Sequence, residues 1–203
     1  MYRVEGILVD YGSHEAQITC AGSVFIITQA DFEQLGINEG DCLDEDGYSQ
    51  LCEAENRLAC IKKAFVHLSY GDMSAKKLSE KLKKRFDDET ITDVVELLRE
   101  RNYLNDTLLA AKYAESFHEA KLWGPIRIKS DLYKRGFSKE DIGLACEFLE
   151  GADHRDNIKR IITAKYGEEP GEIISQKQKV CAYLYRMGYA YGDITDVIDS
   201  FDL

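Results

Sequence analysis

One sequence pattern occurs three times in the chain and constrains the fold more than any other feature. Each copy begins with a leucine, continues with basic residues and ends with an aromatic residue. The copies are Leu82-Lys-Lys-Arg-Phe86, Leu132-Tyr-Lys-Arg-Gly-Phe137 and Leu184-Tyr-Arg-Met-Gly-Tyr189. Their leucines are 50 and 52 residues apart, a spacing typical of repeat architectures. The pattern therefore predicts an array of similar units.

The residues around each copy follow the period of an α-helix. An apolar residue stands four positions before each leucine, and an isoleucine stands five positions after each aromatic residue. From that isoleucine, apolar residues recur at offsets of three, four and seven, which is the stripe of a buried helix face. The positions are Leu78, Ile91, Val94, Val95 and Leu98, then Ile128, Ile142, Ala145, Cys146 and Leu149, then Val180, Ile194, Val197, Ile198 and Phe201. Further apolar positions 18 and 22 residues before each leucine raise the prediction to three helices per unit.

Residues at the ends of these helices support the same boundaries. Gly136 and Gly188 stand where a left-handed C-terminal cap is expected. Ser138 and Asp141 have the spacing of a capping box at the start of the next helix. Asn105 is placed to cap the helix that begins the second unit.

The first 48 residues differ from the rest in charge and in pattern. They hold ten acidic residues and one basic residue, so they carry most of the net charge of −11. Short runs of β-branched and aromatic residues predict strands, with Ala21-Gly22 as a hairpin turn and Thr28 as the cap of a short helix. The predicted strands are 3–11, 17–20 and 23–27. This region is predicted to be a small acidic β-rich module.

The predicted fold class is therefore mainly α, a tandem array of three three-helix repeats preceded by a small N-terminal β module. The predicted divisions are 1–48 for the module and 49–105, 106–153 and 154–203 for the three repeats. Within the third repeat, the acidic connection Gly167–Glu172 is predicted to be a flexible loop.

Motifs for catalysis and metal binding are missing from the sequence. The four histidines are dispersed, and there is no HExxH pair, P-loop or dinucleotide fingerprint. The six cysteines show no CxxC spacing, and Cys60 and Cys146, at repeat positions that are apolar elsewhere, are interpreted as small buried hydrophobes in a reducing compartment. Cys42–Glu53 has carboxylates at some EF-hand positions, but a cysteine holds the first ligand position, which favours an acidic linker over a calcium loop. We therefore expect a protein that is no enzyme and has no cofactor or metal. Signal-peptide and membrane-spanning patterns are also missing, so we expect it to be cytoplasmic.

Basic residues are concentrated on the predicted second helix of the first two repeats. Any one of them is typical of a solvated helix face, but their recurrence at matched positions favours a binding surface. The candidate partner-binding residues are Lys76, Lys77, Lys81, Lys83, Lys84, Arg85, Arg127, Lys129, Lys134 and Arg135.

The order and spacing of these motifs resemble the RecX family of bacterial recombination regulators over residues 50–203. The resemblance rests on the Leu-x-x-Arg-Gly-Phe helix ends, on Tyr103-Leu-Asn-Asp106, and on Lys121-x-x-Gly124 followed by Ile128 and Leu132. It implies binding to the RecA recombinase filament on single-stranded DNA and restraint of its extension, ATPase, strand exchange and coprotease functions, in DNA repair and the SOS response. It implies no catalytic residues. We expect the protein to act as a monomer, without a membrane, and we leave open a weak direct contact with nucleic acid.

A helix-turn-helix-like DNA-binding protein is the alternative, because three-helix units are also the shape of such readers. Readers usually expose Arg, Asn and Gln on a recognition helix, whereas the third helices predicted here are acidic or apolar. The net charge of −11 also opposes strong binding to a duplex. Both features favour the filament regulator.

Overall fold

The acidic N-terminal region forms an antiparallel sheet, as its β-branched runs predict. In the computed structural model, which describes residues 1–150, 152–167 and 169–201, four strands pair in the order β3-β2-β1-β4. The strands are β1 (Tyr2–Asp10), β2 (Glu15–Cys20), β3 (Ser23–Thr28) and β4 (Cys42–Leu43). Ala21 and Gly22 both have positive φ between β2 and β3, which confirms the predicted hairpin turn. Strand β4 is too short to show an alternating pattern and was not predicted.

Helices make up most of the remaining described chain. Their bounds are α1 (Gln29–Leu35), α2 (Glu45–Ser69), α3 (Ala75–Leu82), α4 (Asp88–Glu100), α5 (Asp106–Glu119), α6 (Pro125–Lys134), α7 (Lys139–Glu150), α8 (Arg155–Tyr166), α9 (Pro170–Ser175), α10 (Lys177–Met187) and α11 (Tyr191–Asp199). The predicted mainly α fold class with a small N-terminal β module is confirmed. Helices α3 and α4 fall within the first predicted repeat, α5–α7 within the second and α8–α11 within the third, while α2 begins before the first repeat.

The chain divides into two compact units. Residues 1–72 and 78–104 form the first unit, and residues 73–77 and 105–203 form the second. In the first unit, α2 begins at Glu45, and its Leu51 and Ala54 belong to the same buried core as the sheet. Helix α2 therefore crosses the predicted boundary between module and first repeat. The four-part division of the chain stays a prediction.

The apolar positions chosen from the repeat pattern form the cores. Fourteen of the fifteen positions are buried, and Phe201 is partly buried against its core. In the second unit, one core lies among α5, α6 and α7, and another lies among α8, α9, α10 and α11. The helical period of the sequence therefore identified the inward faces correctly.

The predicted helix caps are confirmed as well. Gly136 and Gly188 have φ of +89° and +93° and follow the ends of α6 and α10. At the start of α7, the Asp141 backbone N–H donates to Ser138 Oγ at 3.0 Å. At the start of α5, Asn105 Oδ1 accepts the Leu108 N–H at 2.9 Å.

The prediction of a flexible loop at Gly167–Glu172 is wrong from Pro170 onward. Helix α9 begins there, with the proline in its first turn, where the missing N–H costs no hydrogen bond and the fixed φ suits the helix. Ile173 is fully buried and anchors α9 to its core. Position 168 lies outside the described residues.

Asp87 provides a pH-dependent cap for α4. Its carboxylate accepts the Thr90 backbone N–H at 2.8 Å and the Thr90 hydroxyl at 2.9 Å, and these bonds lower the pKa of Asp87. Because the folded pKa lies below the unfolded one, the ionised cap stabilises the fold above the ordinary Asp pKa of about 3.9. That contribution is lost as the pH falls through the lowered pKa.

We therefore expect Asp87→Ala to lower the Tm at pH 7 and the difference from the parent to shrink at pH 3. Circular dichroism melting curves at both pH values measure it. A difference that stays constant between pH 7 and pH 3 would show that the charge of the cap contributes nothing.

Candidate partner-binding surface

Four of the ten candidate residues lie in the first unit, around the C-terminal end of α3. Lys81, Lys83, Lys84 and Arg85 are all exposed. Lys83 Nζ lies 3.0 Å from an Asp88 carboxylate oxygen, so an ion pair within the chain partly neutralises its charge. The other three make no ion pair within the described residues, although the Arg85 guanidinium lies 5.6 Å from the Phe86 ring centroid. Three cations are therefore available here to an external anion.

The other six candidates lie in the second unit, on the first turn of α3 and along α6. Lys76 and Lys134 are exposed, and neither makes an ion pair within the part of the chain that the structure describes. Lys77 is partly buried. Lys129 Nζ lies 3.3 Å from a Glu150 carboxylate oxygen. Of the lysines in this group, Lys76 and Lys134 fit a binding role best.

The two arginines of this group support the fold as well as carry charge. Arg135 Nε donates to Asp131 at 2.6 Å, and its guanidinium lies 4.6 Å from the centroid of the Tyr113 ring. The Arg127 guanidinium lies 4.0 Å from the centroid of the Trp123 ring, within cation–π range. Both side chains are only partly exposed. The sequence pattern alone did not separate these residues from the exposed lysines.

Backbone contacts fix both ends of α6. At its start, the Gly124 N–H donates to the Met187 carbonyl at 2.8 Å, and the Ile126 N–H donates to the Gly188 carbonyl at 3.1 Å. Backbone amides at the start of α6 therefore satisfy backbone carbonyls at the end of α10, and neither set has a partner within its own helix. Beyond its other end, the Ser74 hydroxyl donates to the Arg135 carbonyl at 2.8 Å. Helix α6 and its basic residues are therefore held in a defined orientation.

A groove of about 310 Å³ runs beside these contacts and carries residues that the candidate set lacked. Lys134, Tyr185, Arg186 and Ile126 line it together with Trp123 and other residues of α6 and α10. Tyr185 and Tyr133 occupy the same position in successive repeats, and each is 64% exposed. Because the chain keeps an exposed tyrosine and a cation at equivalent places, comparing the repeat copies could have identified Tyr185 and Arg186.

Two titratable groups of the second unit with perturbed pKa values, His118 and Tyr189, belong to its interior. Burial lowers the pKa of His118 and raises the pKa of Tyr189 to about 12. The Tyr189 hydroxyl donates to the Leu122 carbonyl at 3.0 Å, and Asn157 Nδ2 lies 3.4 Å from His118 Nε2. These contacts join the second predicted repeat to the third, so Tyr189 and His118 have a structural role.

Among the described residues, no helix is both long and apolar enough to cross a membrane. No protein-family model matches the chain. Two solved structures share its fold. The crystal structure of a regulatory protein RecX aligns with a TM-score of 0.80 at 19% identity and covers 98% of this chain and 100% of that one. The crystal structure of RecX from Lactobacillus salivarius aligns with a TM-score of 0.65 at 20% identity and covers 73% of this chain and 98% of that one.

Proteins named regulatory protein RecX are also similar in sequence. The one from Clostridioides difficile (strain 630) is 28% identical over 165 residues, which covers 81% of this chain and 78% of the relative. The one from Caldanaerobacter subterraneus subsp. tengcongensis is 30% identical over 189 residues, which covers 91% of this chain and 88% of the relative. With this identity sustained over nearly the whole of both sequences, the chain belongs to the RecX family of regulatory proteins.

Proposed function

We propose that this protein binds the RecA recombinase filament on single-stranded DNA and restrains the extension and the activities of that filament in recombination and DNA repair. The observation that carries the proposal is the 30% identity to a RecX protein across 91% of the chain. The relatives are named regulatory proteins, which supports a regulatory role over an enzymatic one. We further propose that the protein acts in the cytoplasm as a monomer.

The distribution of charge within each unit supports binding of this kind. Lys76, Lys81, Lys84, Arg85 and Lys134 are exposed cations with no ion pair among the described residues. A filament on single-stranded DNA offers phosphates and acidic side chains, both of which attract such cations. The net charge of −11 lies mostly in the first 48 residues, so the helical part of the chain is nearly balanced.

The alternative, a sequence-specific DNA reader, has less support. Asp88, Glu89, Asp93 and Glu96 are exposed on α4, and Glu140 and Glu147 are exposed on α7. Carboxylates on these helices would repel the phosphates that a recognition helix must approach.

The function is tested with the RecA ATPase on single-stranded DNA, titrated with this protein. We expect the ATPase to fall, and we expect removal of four charges together to weaken the inhibition about fourfold or more, since each exposed contact contributes roughly 0.2–1 kcal/mol. The changes are Lys81→Gln, Lys84→Gln, Arg85→Gln and Lys134→Gln. Far-ultraviolet circular dichroism checks that helicity is unchanged.

A matched control removes three other lysines and one other arginine from exposed positions outside the candidate set. These changes are Lys62→Gln, Arg155→Gln, Lys159→Gln and Lys179→Gln, and they should leave inhibition near the parent level. Equal loss in both variants would indicate a dependence on net charge and not on these four cations. Tight duplex binding in the absence of RecA, with no effect on the ATPase, would favour the DNA reader.

A further inference from the structure

The first unit contains a pocket of about 310 Å³ whose polar lining is entirely cationic or imidazole. Lys63 and His67 come from α2, and Lys81, Lys84 and Arg85 come from the end of α3 and the turn that follows it. Leu82 and Phe86, both buried, complete the lining.

The four cations of this pocket have no carboxylate to neutralise them. Lys63, Lys81, Lys84 and Arg85 are exposed, none makes an ion pair within the described residues, and no acidic residue lines the pocket. Other exposed lysines of the same unit are paired, such as Lys62 with Glu15 at 2.8 Å and Lys83 with Asp88 at 3.0 Å. The pocket therefore concentrates positive charge in a chain that is acidic overall.

His67 responds to the same charges. Its Nε2 is closed off from solvent and has no hydrogen-bond partner among the described residues. Burial lowers the pKa of His67, and the nearby Lys63, Lys81 and Lys84 lower it further. An anion placed among those lysines would remove part of this repulsion and favour the protonated ring.

We propose that this pocket binds a doubly charged phosphate group. Four cations around one small pocket exceed what a single carboxylate or a phosphodiester would neutralise, whereas a phosphate monoester carries a charge between −1.5 and −2 near pH 7. Lysine ammonium groups bind phosphate as point charges, and Arg85 adds a planar donor that matches two of its oxygens. The phosphate can be free inorganic phosphate or the terminal phosphate of a nucleotide, which offer the same chemistry.

This inference does not require that the protein regulate RecA, and its test contains no RecA. Inorganic phosphate and adenosine monophosphate are titrated separately at constant ionic strength, with binding followed by calorimetry. The imidazole C–H resonances of His67, assigned with His67→Gln, report its pKa by nuclear magnetic resonance. We expect both ligands to bind near pH 7 and to raise the pKa of His67.

Charge removal identifies the pocket. The triple variant Lys63→Gln, Lys81→Gln and Lys84→Gln should weaken phosphate binding at least tenfold and raise the pKa of His67 before any ligand is added. The control Lys62→Gln, next to Lys63 but paired with Glu15, should bind like the parent. Equal affinities for the two ligands would assign the site to the phosphate group alone, and tighter binding of the nucleotide would assign it to a nucleotide phosphate.

Three outcomes overturn the proposal. The parent could fail to bind either ligand, or the triple variant could bind as tightly as the parent. A short oligoglutamate peptide could also bind to the pocket more tightly than phosphate does, which would assign it to carboxylates of a protein partner.

Discussion

Gly188→Ala is expected to destabilise the second unit by about 2–5 kcal/mol, combining a left-handed backbone with steric overlap. Gly188 has a φ of +93°, a conformation that costs a residue with a Cβ. The added Cβ would also overlap the backbone nitrogen and Cβ of Arg127 at the start of α6. Neither obstacle is the mobile end of a side chain, so relief requires the contact between α6 and α10 to open.

Gly124→Ala tests the same contact from the opposite side. Gly124 has an ordinary φ of −78°, so the backbone conformation itself suits alanine. Its Cβ would nevertheless overlap the Gly188 carbonyl group and the Tyr189 nitrogen. We expect a loss of about 1–3 kcal/mol from this overlap alone.

Gly143→Ala is the matched control for both variants. Gly143 is an exposed residue within α7, and an added Cβ would meet no atom within 4 Å. Because alanine favours a helix interior over glycine, this variant should gain about 0.5–1 kcal/mol. Urea unfolding followed by circular dichroism measures all three. If Gly124→Ala and Gly188→Ala were as stable as Gly143→Ala, the close backbone approach between α6 and α10 would be absent in solution.

The contact between α6 and α10 also shows where sequence reasoning stops. The repeat pattern identified the buried stripes and the caps, because those depend on residues within one or two helical turns. Gly188 was correctly interpreted as a helix cap from its neighbours. Its second role depends on Arg127, which is 61 positions earlier in the chain, and no local period reports such a distance.

The candidate binding residues show the same limit in their charges. The sequence shows the number and positions of these basic residues, but it does not show the side chains with which they pair. Lys129 pairs with Glu150, which is 21 residues away, and the guanidinium of Arg127 lies over the ring of Trp123. The sequence therefore predicted a basic surface without showing which of its cations remain unpaired.

Boundaries between units were the least predictable part of the fold. Helix α2 continues without a break from the module core to the core of the first repeat. The amino-acid composition therefore changes at a point where the helix continues. The acidic connection also forms a helix, α9, which has a proline in its first turn and one buried isoleucine. Both features depend on tertiary packing, which overrides local propensity.

Leu132→Ala is expected to lower the free energy of unfolding by about 2–5 kcal/mol, the range for a fully buried leucine that leaves a cavity. Leu132 is 0% exposed and belongs to the core among α5, α6 and α7. It is also the leucine that recurs in all three copies of the pattern. Urea unfolding again measures the change.

Leu144→Ala provides the matched comparison, because it makes the same chemical change in the same unit at a side chain that is 56% exposed. Its cost should stay within about 0.5 kcal/mol, as for other surface changes. A cost below that limit at Leu132 as well would mean that the leucine of the repeat is not a core residue in solution.

The Leu132 variant also separates stability from function. The buried leucine fixes the direction of Tyr133 and Lys134, which follow it on the exposed side of α6. Well below its lowered Tm, the variant keeps the fold, so it should inhibit the RecA ATPase like the parent if the proposed surface is correct. Near its Tm, inhibition should disappear in parallel with the helical signal. Loss of inhibition at a temperature where the helical signal is intact would instead show that the α6 surface depends on fine packing of its core.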